Sequence, residues 1–200
     1  MHTSCVIFDL DGVLVDTCDW HFEALNSSLM HHLNTSISRS DHESEFNGLP
    51  TRVKLQMLNI PSKLSTKIQD TKQVFTMRYI NEQMRPNLSK IHMLEQLTAN
   101  RILTACVTNS IKATAHAMLG RLGILGHLDI IITNEDIKKP KPDPEGYLLA
   151  MDCIGADPKQ TIIFEDSEIG MRAAKAASVA KVIKVNCPSE VTLDFVRSHL

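Results

Sequence analysis

VIFDLDGVLVDT, running from Val6 to Thr17, decides how the rest of the chain is read. Cys5, Val6, Ile7 and Phe8 form an apolar run of strand length, and Asp9, Asp11 and Gly12 end it. A run too short for a helix, closing on carboxylates and glycine, reads as a buried parallel strand entering a tight loop. In open α/β sheets, ligands bind just beyond the carboxyl ends of the strands, where Asp9 and Asp11 stand. Two carboxylates that close repel, and each tends to take up a proton unless a cation sits nearby. A hard divalent ion with oxygen ligands, Mg2+ above all, answers that need. A carboxylate fixed beside Mg2+ can attack phosphorus and carry an aspartyl-phosphate. A bare Asp-x-Asp also recurs as a turn with solvated charges, so the pair alone leaves both readings open.

Outward from this stretch, short apolar runs recur with helical segments between them. ILTACV ends in Thr108, Asn109 and Ser110, LDIIITNED places a strand over Asp129 to Thr133, and TIIF runs into Glu165, Asp166 and Ser167. Lys181 to Val185 gives a fifth strand. The spacing predicts helices from Leu88, over Ile111 to Leu122 with Gly123 closing, over Pro144 to Ile154, over Met171 to Ala177, and over Thr192 to His199. Strands alternating with helices require an α/β fold with a parallel sheet and right-handed crossovers.

Cys18 to about Arg85 differs, with apolar residues at helical spacing and little strand signal. Trp20, Ala24, Leu25, Ser28 and Leu29 share one predicted helix face, and Asp41 to Phe46 gives a short helix. Thr51 is read as the N-cap of a helix over Arg52 to Leu58. Pro61-Ser62 opens another helix, which Arg85-Pro86 breaks. On it Lys72 is a basic candidate for facing a site, although for Lys72 and Arg78 a solvated helix face is the favoured reading.

Bulk properties narrow the partners. The 200 residues are 43% hydrophobic and 22% charged with a net charge of −2, ordinary for a globular chain and without a nucleic-acid footprint. No apolar run approaches the roughly 18 residues of a membrane helix, and MHTSCVIFDL enters a strand without a basic leader. The five cysteines are widely spaced, with no CxxC pair, which fits reduced thiols in a cytoplasm.

Two loops carry further chemistry. A hydroxyl at a strand end, followed by N–H groups at a helix start, suits a phosphate, although Ser and Asn also cap helices. In Lys138-Lys139-Pro140-Lys141-Pro142-Asp143-Pro144, prolines hold the loop stiff, so a lysine there is aimed at little entropic cost. Simple solvation of three loop lysines is the alternative.

FDLDGVLVDT resembles the first signature of the haloacid dehalogenase-like hydrolase superfamily, in the branch containing β-phosphoglucomutase and phosphoglycolate phosphatase. TNS, KPKPDP and EDSEIG resemble its second, third and fourth signatures, in the expected order. The resemblance implies a Rossmann-like sheet of order 5-4-1-2-3 over residues 1–16 and 87–200, with an inserted α-helical cap over 17–86. It implies Asp9 as nucleophile, Asp11 as general acid and base, and Thr108, supported by Asn109 and Ser110, on the transferring phosphoryl group. Lys139, directly before the first proline, is taken as the charge-neutralising lysine, although lysine precedes it where glycine is usual. Mg2+ is implied on Asp9, the Asp11 carbonyl, Asp166 and Glu165. Thr17 and His21 match the branch's hinge, with a helix-surface histidine the alternative for His21, and Arg52 in GLPTR is expected to face the site. The expected activity is Mg2+-dependent hydrolysis of a small phosphorylated metabolite. A sugar phosphomutase is the alternative, weakened by Asn47 where a lysine resembles the mutase pattern. A non-catalytic phosphosugar-binding protein would gain nothing from clustering so many charges. Dehalogenation has no leaving alcohol for Asp11 to protonate.

Overall fold

A computed structural model describes residues 3–200, the side chain of Cys18 excepted. Met1 and His2, the first residues of the MHTSCVIFDL segment expected to lack a basic leader, and the Cys18 thiol, one of the five expected reduced, lie outside the described residues. Five parallel strands form one sheet in the order β3-β2-β1-β4-β5: β1 Cys5–Phe8, β2 Leu103–Val107, β3 Ile130–Ile132, β4 Thr161–Glu165 and β5 Lys181–Lys184. This is the expected 5-4-1-2-3 order, read from the opposite edge. β1 lies at the centre, pairing Phe8 with Cys106 on one side and with Phe164 on the other.

Successive side chains of a strand point to opposite faces, and β1 uses that period to build two cores. Val6 and Phe8 join Cys106, Ile162 and Phe164 under α5 (Leu88–Ala99), α6 (Lys112–Leu122) and α9 (Leu193–Arg197). Cys5 and Ile7 join Ala105, Val107 and Ile163 under α7 (Glu145–Ile154) and α8 (Glu168–Ala176). Burial on both faces is why β1, β2 and β4 read as mainly apolar runs. Gly123 closes α6 at φ +79, the left-handed C-cap that glycine adopts without strain.

The insert is helical: α1 Cys18–Leu33, α2 Arg39–Asp41 running into a π-helical turn at His42–Phe46, α3 Thr51–Met57 and α4 Ser62–Gln83. Leu25, Leu29, Leu55 and Ile68 form its own small core. Thr51 is not the N-cap of α3. It lies inside the helix, and Pro50 caps it without a side-chain hydrogen bond. Pro50 sits in extended backbone at ψ 144, its ring setting φ for helix entry, so no hydroxyl is needed there. No helix of the described residues is long and apolar enough to cross a membrane.

Candidate active site

The carboxyl ends of β1, β2 and β4 and the loop after β3 converge on one cavity of about 320 Å3, roofed by the insert. That is within the roughly 300–1,000 Å3 of small-ligand sites. Asp9 leaves β1 with its N–H bonded to the Phe164 carbonyl at 3.0 Å, so the sheet ladder itself aims the side chain. Gly12 follows at φ +88, and a Cβ there would lie 2.1 Å from Asp166 Oδ2. The glycine of the first motif is therefore the room in which Asp166 sits.

Lys141, not Lys139, is the lysine of this site. Its ammonium donates to Asp9 Oδ1 and Glu165 Oε1 at 2.5 Å each and to the Val107 carbonyl at 2.8 Å. Lys139 points outward, 73% exposed, with Asp143 at 4.0 Å. Lys138 is exposed as well. The loop holds two Lys-Pro steps two residues apart, and the second is in register with α7. Tyr147 on that helix lies under the Lys141 ammonium, 4.8 Å from ring centroid to Nζ, and its hydroxyl donates to Glu165 Oε1 at 2.9 Å. What singles out the second Lys-Pro step is this packing of Tyr147, which the sequence does not display.

Glu165 is enclosed. Oε1 is held by Lys141 and Tyr147, and Oε2 accepts from the N–H groups of Asp166 and Ser167 and from the Ser167 hydroxyl. A Cβ on Gly170 would lie 1.8 Å from Oε1, so the motif's glycine again makes room for a carboxylate. Asp9, Glu165 and Asp166 bring ligand oxygens within 4.8 Å of one another. Burial pushes Asp166 up to about 7, with the charge of Glu165 adding to it. Burial raises Asp9 well above the usual carboxylate range against the pull of Lys141. An all-oxygen set of mutually repelling carboxylates, Asp9 and Glu165 buried and Asp166 half-buried, fits a hard divalent cation. Glu165 already accepts five hydrogen bonds, so Asp9 and Asp166 offer the more available oxygens of the three.

Asp11 is held differently. Thr17 and His21 both donate to Oδ1, His21 from Nε2 at 2.9 Å, while Ser110 donates to Oδ2 at 2.9 Å and Thr108 at 3.3 Å. Burial works against its charge, but His21, Thr17 and Ser110 outweigh burial and hold the carboxyl well below its ordinary range. His21 is therefore no helix-surface residue. Its Nδ1 accepts from Lys72 Nζ at 3.2 Å, and burial followed by that ammonium lowers its pKa. Lys72, expected on a solvated face, is 8% exposed because it shares the inward stripe of α4 with Ile68, Thr76 and Ile80.

The second motif divides its labour. Thr108 Oγ1 accepts from the Ser110 N–H at 2.9 Å. Asn109 lines the cavity, but its amide is taken up by backbone groups. Its Oδ1 accepts from the Lys141 N–H at 3.0 Å, and its Nδ2 donates to the carbonyls of Gly48 at 2.8 Å and Lys141 at 3.3 Å. Arg52 is exposed at the cavity rim. The basic residue that α3 turns inward is Lys54, 5% exposed and 3.3 Å from His42 Nε2, which the sequence reading missed.

The haloacid dehalogenase-like hydrolase profile matches residues 6–185. A phosphorylated carbohydrates phosphatase of Thermotoga maritima is 30% identical over 183 residues, covering 90% of this chain and 84% of the relative. A β-phosphoglucomutase of Bacillus subtilis is 28% identical, covering 88% of this chain and 81% of the relative. Among solved structures, a β-phosphoglucomutase from Clostridium difficile superposes with a TM-score of 0.82 at 22% identity, covering 98% of this chain and 96% of the other.

Proposed function

Because this chain belongs to the haloacid dehalogenase-like hydrolase family, we propose that it is a Mg2+-dependent phosphatase of small phosphorylated sugars. The observation that carries the reading is the grip of Lys141 on Asp9 and Glu165 beside Asp166. It joins one nucleophilic carboxylate to one fixed cation at the mouth of a cavity.

Asp9 attacks phosphorus in line. An Asp9 oxygen–phosphorus bond forms, the ester phosphorus–oxygen bond breaks, and the leaving alcohol takes a proton from Asp11. Asp11 rests ionised, so it must first gain that proton. A phosphoryl dianion bound next to it favours the gain, since nearby negative charge raises a carboxylate pKa. Water then attacks the aspartyl-phosphate, Asp11 takes the proton of that water, and phosphate leaves Asp9. Lys141 stabilises charge on the equatorial oxygens with Thr108, where phosphoryl-transfer catalysis mostly lies. Asp9, Asp166 and the Asp11 carbonyl would hold Mg2+, which when bound neutralises charge on the phosphoryl group. The helical insert excludes bulk water during the first step.

A phosphomutase is the second reading, favoured by Thr17 and His21 on Asp11 and by the Bacillus relative. The same intermediate would then return its phosphoryl group to a sugar hydroxyl. Both readings are tested by a panel of sugar phosphates, glycolate phosphate and nucleotides, with and without Mg2+, against Asp9→Asn. The expected result is metal-dependent phosphate release that falls by more than about 10³-fold in a folded Asp9→Asn protein. Isomer conversion without phosphate release would select the mutase. Undiminished turnover in Asp9→Asn would refute the nucleophile.

A further inference from the structure

Lys141 is aimed by more than its own loop. One side chain brackets its backbone: Asn109 Oδ1 accepts from the Lys141 N–H at 3.0 Å, and Asn109 Nδ2 donates to the Lys141 carbonyl at 3.3 Å. An asparagine amide offers two N–H groups and one carbonyl oxygen. The remaining N–H goes to the Gly48 carbonyl at 2.8 Å, so no donor of the amide is left for a substrate. Asn109 stands 32 residues before Lys141 and 61 after Gly48. One planar group therefore joins three segments: the end of β2, the loop that carries Lys141, and the insert.

Gly48 meets the core a second time. It lies in the turn from Phe46 to Leu49, closed by the Leu49 N–H on the Phe46 carbonyl at 3.2 Å. Its φ is +74, and a Cβ there would meet Ser167 Oγ at 3.3 Å and Ser167 Cβ at 3.4 Å. Ser167 has little room to yield. Its hydroxyl donates to Glu165 Oε2 at 3.2 Å and accepts from the Gly170 N–H at 3.0 Å. The turn thus packs against both supports of the Lys141–Glu165 pair, Asn109 on the lysine side and Ser167 on the carboxylate side.

We propose that Asn109 is a positioning residue that couples seating of the Phe46–Leu49 turn to the aim of the Lys141 ammonium, so that the lysine is in register with Asp9 only while that turn rests on the core. An N–H that loses its acceptor inside a protein is costly. When the turn lifts, the amide rotates to regain one and releases the Lys141 backbone. A misplacement of about 1 Å at such a group costs about 100-fold in rate. The kinetic consequence rests on the phosphatase reading, whereas the coupling itself is a property of the fold.

Three variants separate this coupling from a merely local bond. Asn109→Ala removes all three hydrogen bonds. Asn109→Asp keeps an acceptor for the Lys141 N–H but donates to neither carbonyl. Gly48→Ala leaves Asn109 intact and forces the turn away from Ser167. With Mg2+ and p-nitrophenyl phosphate, kcat should fall by about tenfold or more in each, with KM within about threefold, because the loss falls on the transition state. Asn109→Ala combined with Gly48→Ala should be no slower than the slower single variant. A second readout does not use turnover. Amide exchange at Lys141, followed by NMR, should quicken by about tenfold or more in Gly48→Ala, although the acceptor of that N–H is untouched. Unchanged exchange at Lys141 in Gly48→Ala overturns the coupling, as do full turnover in Asn109→Asp and single effects that multiply in the combined variant. If Gly48→Ala does not fold, turnover of Asn109→Asp decides. No release from any ester by the wild-type protein removes the phosphatase reading, and exchange at Lys141 then still decides the coupling.

Discussion

Asp9 and Lys141 lie 132 residues apart in sequence and 2.5 Å apart in space, and single side chains of this kind set the chemistry. Removing one partner of a buried ion pair leaves the other charge unpaired, at about 3–5 kcal/mol. Lys141→Ala should therefore lose both turnover and stability, read by phosphate release and urea midpoint. Lys139→Ala should change stability by less than about 0.5 kcal/mol and leave turnover within about twofold. The acids of the first and fourth motifs were legible because each follows an apolar run directly. The lysine was not, because two Lys-Pro steps compete in one loop and only the packing of Tyr147 chooses between them. His42 gives a pH signature. Its pKa falls from 6.5 to about 4 on folding through burial and the nearby Lys54. Below pH 6.5 the unfolded chain then binds the extra proton, so this stability is present above pH 6.5 and is lost as pH falls towards 4. The full loss is about 3 kcal/mol. Urea midpoints from pH 7 to pH 4 should fall less steeply in His42→Gln.

At the scale of elements, strand ends and helix starts are fitted together by missing side chains. Glu165 ends β4 and Gly170 lies in the first turn of α8, and the helix can approach the carboxylate because that position lacks a Cβ. Glu165 cannot retreat, since Lys141, Tyr147 and two backbone N–H groups hold it. Gly170→Ala should destabilise by about 1–3 kcal/mol through overpacking. Its kcat should fall by more than about tenfold, because the displaced carboxylate carries Lys141 with it. Urea midpoints and steady-state kinetics check both arms. The sheet elements were legible to within a residue or two; in β1, β2 and β4 burial leaves a mainly apolar run, whereas the half-exposed edge strand β5 shows only Val182 and Ile183 between lysines. The inward lysines were not. A lysine on a helix reads as solvated by its charge, and only the stripe of Ile68, Thr76 and Ile80 around Lys72 betrays the buried face.

Over the whole molecule, stability is uneven. The sheet has two large cores, whereas the insert's own core has Leu25, Leu29, Leu55 and Ile68 as its buried members. Leu55→Ala should open a cavity costing about 2–5 kcal/mol, felt mainly in the insert. Hydrogen exchange should quicken in α1, α3 and α4 and stay unchanged in β1, β2 and β4; acceleration spread evenly over both would show that the two parts unfold as one. From the sequence the insert is helical and Thr17, His21 and Arg52 are expected at the site, but how α3 and α4 close on it is not legible. Those contacts join residues far apart in the chain, such as Asn109 with Gly48 and Thr114 with Gln73.

The carboxylates and Lys141 come from the strand ends and the loop after β3, while the wall opposite them comes from α3 and α4. The seam is crossed at Asp11 by Thr17 and His21, both at the very start of the insert. Drift in α3 and α4 can thus change what enters the cavity while the bond-breaking machinery stays intact. A lineage carrying this layout can acquire a new diet by altering one contiguous segment, provided the first turn of α1 is inherited unchanged.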